Sequence, residues 1–104
     1  MIQSSSTKKV LTTERFDLWF ASLRDVRAAR TIQVRIDRVE DGNLGDFKVL
    51  ARGVFELRIH HGPGYRLYGL HLDLDTVVIL IGGDKATQVQ DIHAAQEIAR
   101  QLKD

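Results

Sequence analysis

A chain of 104 residues, 43% hydrophobic and 28% charged, has the length of one domain and the make-up of an ordinary globular protein, which excludes fibrous and disordered classes. With a formal net charge of +1 and no cysteine, disulfides and thiolate metal sites are excluded, a reducing cytoplasm fits, and global charge does not announce a nucleic-acid binder. No apolar run approaches the roughly 20 residues that span a bilayer, and Met1 to Thr7 holds no hydrophobic signal core, so neither a membrane span nor export is expected.

Lys8 to Thr12 is short and leads into threonines, which predicts a first short strand. Thr12 or Thr13 can cap a helix from about Glu14 to Leu23, where Phe16, Trp19, Phe20 and Leu23 recur at helical spacing. Glu14 and Asp17 sit in its opening turns, where negative charge suits the helix dipole. Trp19 reads as core. Asp25 caps a second helix with an apolar stripe of Ala28, Ala29, Ile32, Ile36 and Val39, ending near Asp41-Gly42. The two form a helical hairpin. Arg27, Arg30, Arg35 and Arg38 lie mostly off the stripe and read as a solvated face paired with Asp37 and Asp41 rather than as a nucleic-acid stripe.

After a loop at Asn43 to Asp46, four strands are predicted: Phe47 to Ala51, Val54 to His61, Tyr65 to Leu72 and Thr76 to Ile81. Gly62-Pro63-Gly64 and Asp73-Leu74-Asp75 join the last three as a meander. Val77 to Ile81 is apolar on both faces, as a central strand is. Gly82-Gly83 reads as the strand's end, bringing Lys85 to a helix opened by a Thr87-x-x-Gln90 capping box, a natural anion site. Val89, Ile92, Ala95, Ala99 and Leu102 give that helix one apolar face. The expected class is α+β, one domain over residues 1–104.

Side chains alternate along a strand, so Phe55, Leu57 and Ile59 face the core while Glu56, Arg58 and His60 face the other way. With an odd number of residues in the hairpin loop, Arg66 and Tyr68 join Glu56, Arg58 and His60 on one surface. Two readings of this surface stand. Either Arg58 and Arg66 hold a phosphodiester between them, or Glu56 pairs with them on an exposed face for less than about 1 kcal/mol. Lys48 and Arg52 add to a locally basic segment in which Glu56 is the one acid before Asp73. His60 and His61 point to opposite faces, so at most one serves the site, and His61 is assigned to packing. His71 and His93 are remote in sequence and form no HxxxH or HxH spacing, so no metal site is expected.

These residues resemble the RelE/ParE superfamily of bacterial toxins, and within it the HigB-like "addiction module killer protein" group. The resemblance runs from the Phe16 to Leu23 helix through Gly42-Asn43-x-Gly45-Asp46-x-Lys48, Gly53-Val54-x-Glu56-Leu57-Arg58 and Gly62-Pro63-Gly64-Tyr65-Arg66-x-Tyr68. It continues through Gly82-Gly83-Asp84-Lys85-x-Thr87-Gln88-x-x-Asp91-Ile92. It implies a RelE-like fold: a short N-terminal strand, a two-helix hairpin on an antiparallel four-stranded meander, and a C-terminal helix.

It further implies a type II toxin with a cognate helix-turn-helix antitoxin, able to join a higher-order complex on operator DNA. Many such toxins cut mRNA on the ribosome without a metal or cofactor. ParE relatives instead poison DNA gyrase, and a non-toxic antitoxin-binding member is a third possibility. Arg66 matches a strand arginine used at the scissile phosphate, Lys85 falls at a second basic position, and Arg58 matches the group's Glu-Leu-Arg motif. The expected catalytic set is Arg58, Arg66, Lys85 and His60; substrate contacts are expected from Lys48, Arg52, Glu56, Tyr68 and Gln88. The chain departs from RelE-type nucleases in offering Gln88, Gln90 and Asp91, and no tyrosine, after Lys85, which leaves the general acid unassigned.

Overall fold

Residues 7–103 are described by a computed structural model of the chain. The first strand, β1, runs Lys9–Thr12, and Thr13 then caps α1 (Glu14–Ala21) by accepting a hydrogen bond from Phe16 N at 3.0 Å. The same hydroxyl donates to Leu80 O, so the cap also ties the helix start to the sheet. Asp25 caps α2 (Val26–Glu40) by accepting from Arg27 N and Ala28 N. Beyond its last turn Gly42 takes φ 85°, the left-handed conformation that lets the chain leave the helix.

The remaining strands are β2 (Phe47–Val49), β3 (Val54–Ile59), β4 (Tyr65–Asp73) and β5 (Thr76–Asp84), and the last helix, α3, is Gln88–Lys103. They form one five-stranded sheet in the order β1-β5-β4-β3-β2, antiparallel except where β1 lies parallel to β5. The α+β class is as expected. β5 sits inside the sheet between β4 and β1, in keeping with a sequence apolar on both sides.

The helices cover opposite faces. Phe16, Ile32, Ile36 and Val39 of α1 and α2 pack on Phe55, Leu57, Ile59, Leu67, Val77 and Ile79. On the other face Ala95 and Ala99 of α3 pack on Val54, Tyr68, Leu70, Val78, Leu80 and Ile81. The odd and even positions of β3 divide between the two layers, as period-two alternation requires. A bulge between Tyr68 and Gly69 leaves Leu80 unpaired, since Tyr68 faces Ile81 and Gly69 faces Ile79. It shifts the alternation of β5 by one residue, so Leu80 and Ile81 both belong to the α3 layer.

That shift corrects one expectation. Gly82-Gly83 does not end the strand; β5 continues through Asp84. A Cβ on Gly82 would stand 2.2 Å from Trp19 Cζ3, and one on Gly83 would stand 2.0 Å from Asp91 Oδ2. The glycines are there because two side chains from opposite layers press against the strand. The helix start differs as well: Asp84 accepts from Ala86 N at 2.8 Å and caps a 3-10 turn, Lys85–Thr87, that leads into α3. Thr87 closes this turn and donates to the Asp91 carboxylate, so it does not cap with Gln90.

Arg35 also departs from its expected role as a solvated cation. Its guanidinium donates to Leu44 O, Asp46 O and Arg58 O, clamping the loop before β2 and the end of β3 onto α2. Gly45, at φ 68°, is the position where a Cβ would stand 2.8 Å from Arg35 Nε. Among the described residues Asp37 pairs with Gln33 of its own helix and with no arginine.

Candidate functional site

β3 and β4 are joined by residues 60–64 and paired so that Ile59 faces Tyr65, Arg58 faces Arg66 and Glu56 faces Tyr68. The loop is odd, and the two arginines stand side by side on the α3 side of the sheet. Gly83 is the next residue across in the same row, so no side chain crowds Arg66 from β5.

Glu56 lies one pair inward and is completely buried. Its Oε1 accepts from Arg58 Nε at 3.0 Å, and its Oε2 stands 3.5 Å from Arg66 Nε. Gln88, at the start of α3, donates to Oε2 at 2.8 Å. A carboxylate taken out of water is costly unless charge and hydrogen bonds replace its hydration, and here two guanidinium groups and an amide do so. The reading of Glu56 as an exposed ion-pair partner is therefore corrected in its exposure: Glu56 is a buried anion that hydrogen-bonds Arg58 Nε and ion-pairs with Arg66, whose buried Nε makes no hydrogen bond among the described residues.

The two arginine side chains reach the surface unequally, with Arg58 35% and Arg66 15% exposed. Arg66 Nη1 also donates to Gly64 O at 3.2 Å. Among the described residues no hydrogen-bond partner holds the Nη nitrogens of Arg58. Both arginines line a cleft of about 540 Å³ together with Lys85 and the 60–64 loop. Lys85 is exposed on the 3-10 turn and borders Gly64, where an added Cβ would be 3.7 Å from Lys85 Cβ. Gly62 and Gly64, at φ 53° and 82°, give this loop its left-handed turns.

His60 is 79% exposed at the lip of the cleft, and its Nε2 is 2.7 Å from Asp46 Oδ2. That hydrogen bond, ahead of any other influence, holds the Asp46 carboxyl below its usual value. His61 also lines the cleft, but its ring is a packing contact: its Nε2 is 3.1 Å from Asp25 Oδ2 and it stacks on Tyr65. Asp25 is held low first by its cap bond from Ala28 N and then by His61.

The site therefore gathers Arg58, Arg66, Lys85 and His60, with Gln88 reaching it through Glu56. It does not gather the rest. Lys48 faces Glu56 from β2 but stands exposed at the sheet edge. Arg52, at φ 64°, sits in a separate cleft with His93, Gln96, Glu97 and Arg100 against α3. Tyr68 is wholly buried and its hydroxyl makes no hydrogen bond among the described residues. Burial first, then the charges of Glu56 and Asp91, push the Tyr68 hydroxyl well above its ordinary value. Glu56 and Tyr68 underlie the site and offer no surface to a substrate.

Arg35 was missed as a site support. Its signal was its place beside Ile36 on the flank of the apolar stripe, where a long side chain can reach the sheet edge. Among the described residues no group of three His, Asp or Glu side chains converges as a metal site. No helix there is long and apolar enough to cross a membrane.

No protein-family model matches the chain. A protein of Haemophilus influenzae described as an uncharacterized protein is 44% identical over 96 residues, covering 92% of this chain and 97% of its own length. At that identity and coverage, the chain belongs to the family of this Haemophilus protein.

Proposed function

We propose that the protein is the toxin of a type II toxin-antitoxin pair and acts as a metal-independent, ribosome-dependent mRNA endoribonuclease of RelE/ParE type, HigB-like. The observation that carries this reading is the Arg58 and Arg66 pair, held in register on one sheet face by a buried carboxylate and open to a cleft that Lys85 also lines. Cations fixed in place before substrate arrives are what stabilises charge that develops only in the transition state.

In this reaction the 2'-hydroxyl of one nucleotide attacks its own 3'-phosphorus, the bond from phosphorus to the 5'-oxygen of the next nucleotide breaks, and that oxygen takes up a proton from solvent. Arg58 and Arg66 stabilise the charge on the phosphorane, and Lys85 binds a phosphate oxygen. His60, oriented through Asp46, takes the proton from the 2'-hydroxyl. Glu56 and Gln88 act as positioning residues behind the arginines. The ribosome would supply substrate alignment, which is worth about 7 kcal/mol or more in favourable cases. A helix-turn-helix antitoxin is the partner this reading calls for.

The test is expression of the chain without an antitoxin, with transcript 5'-end mapping and a gyrase-cleavage assay on the same cells. Wild type is expected to arrest growth and leave new 5' ends within translated messages. Arg66→Ala is expected to abolish both while circular dichroism stays that of the folded protein. A variant that still arrests growth and still cuts would overturn the nuclease reading, as would gyrase-dependent DNA breaks with intact messages.

A further inference from the structure

A second groove, of about 500 Å³, lies between α2 and the loop before β2, and it is bordered by Arg30, Val34, Arg35, Arg38 and Asp46. Arg58, Ile59 and His60 line this groove and the arginine cleft alike. The end of β3 is thus a low ridge with one hollow on each side. Arg30, Val34 and Arg38 follow one another at four-residue spacing, so they share a face of α2. All three are exposed.

The two hollows together carry Arg30, Arg35, Arg38, Arg58, Arg66 and Lys85, and the one acid among their lining residues is Asp46, already engaged by His60. Arg35 is spent on backbone carbonyls, whereas among the described residues the side chains of Arg30 and Arg38 make no such bonds. Between these cations lies apolar surface from Val34. Because the two hollows share Arg58, Ile59 and His60, a nucleic-acid strand with one phosphate in the arginine cleft has its neighbouring phosphates within reach of the α2 cations.

We propose that the groove along α2 continues the arginine cleft, so that single-stranded RNA crosses the Arg58–His60 ridge and places flanking phosphates against Arg30 and Arg38. This rests on the nuclease reading and extends it: the cleft takes the reacting phosphate and α2 takes the neighbouring strand. His60 then stands where the strand crosses from one hollow to the other.

The experiment measures binding of the full chain to a trinucleotide and a decanucleotide, both 2'-O-methylated so that they cannot be cut, across a range of salt. The Arg30→Ala, Arg38→Ala double variant is expected to bind the decanucleotide about tenfold more weakly and to lose about 1.4 from the slope of log affinity against log salt, since each single-strand phosphate contact contributes roughly 0.7. Its trinucleotide binding is expected to match wild type. Arg66→Ala is expected to weaken both ligands.

An unchanged slope and affinity in the double variant would overturn the track, as would a wild-type chain that binds no RNA. Polyglutamate competing as well as RNA at equal charge would also overturn it, in favour of a protein partner. The two readings fail separately: growth arrest with an unaffected double variant removes the track alone, and length-dependent RNA binding without message cleavage removes the nuclease alone.

Discussion

On the side of the sheet that α1 and α2 cover, Phe16, Ile32, Ile36 and Val39 meet Leu57, Leu67 and Ile79 in a layer of apolar side chains. The α3 side holds both of the buried charged residues found among the described residues, Glu56 and Asp91, beside the buried Tyr68 hydroxyl. The same strands contribute to each layer through alternate residues, so composition cannot explain the contrast. What differs is how much of each face its helices close. α3 packs its two buried alanines toward one end of β3 to β5, and the far end of that face is left to Arg58, Arg66 and Glu56. One layer holds the fold by removing apolar area from water. The other accepts costly polar burial to fix cations at an open edge.

The largest effect should come from the apolar layer. Leu57 is fully buried among Leu67, Phe55 and the α2 side chains, and Leu57→Ala should cost about 4 kcal/mol through lost burial and the cavity left behind. Urea denaturation is expected to show an earlier midpoint at unchanged slope, with no dependence on the anion present. A loss below about 1 kcal/mol would mean that this layer closes over the gap and is not the rigid side of the molecule.

Glu56→Ala removes the anion from between two cations. Because Arg58 and Arg66 are partly exposed and can turn toward water, the expected loss is about 2 kcal/mol, less than for a pair buried on both sides. Phosphate or sulfate should restore part of it, since either can take the place between the guanidinium groups. Anion rescue of Glu56→Ala without rescue of Leu57→Ala would sharpen the contrast between the layers. Equal responses to phosphate in both variants would erase it.

The arginine register was legible because a strand repeats every two residues and an odd loop fixes which positions face one another. Arg58 and Arg66 needed only parity to be paired. The burial of Glu56 was not legible, because it depends on where Gln88 and the start of α3 come down, and nothing local to β3 encodes that. Gly82-Gly83 was misread for a similar reason. Glycine pairs are strong local punctuation, but here Trp19 and Asp91, distant in sequence and on opposite faces, demand the missing side chains. Arg35 had the spacing of a flank residue, and its three carbonyl partners come from two other segments. Local signals gave the elements; contacts between layers decided which polar groups were sealed.

Tyr68 provides the smallest and most discriminating change. Its ring fills the α3 layer, but its buried hydroxyl lies beside the Glu56 carboxylate without a well-formed hydrogen bond among the described residues. A buried polar group in that condition lowers stability by about 1–3 kcal/mol relative to one that is satisfied. Tyr68→Phe keeps the ring and deletes only the oxygen, so it should leave stability unchanged or raise it by about 1 kcal/mol, read as a later urea midpoint. Growth arrest and message cleavage should be unaffected, since the hydroxyl has no path to the cleft. A destabilised Tyr68→Phe would mean that the hydroxyl supports the Glu56 carboxylate. The positioning of Arg58 and Arg66 would then depend on Tyr68 as well as on Gln88, and the polar end of this layer would be a connected network instead of a carboxylate with two hydrogen-bond donors and one ion-paired arginine.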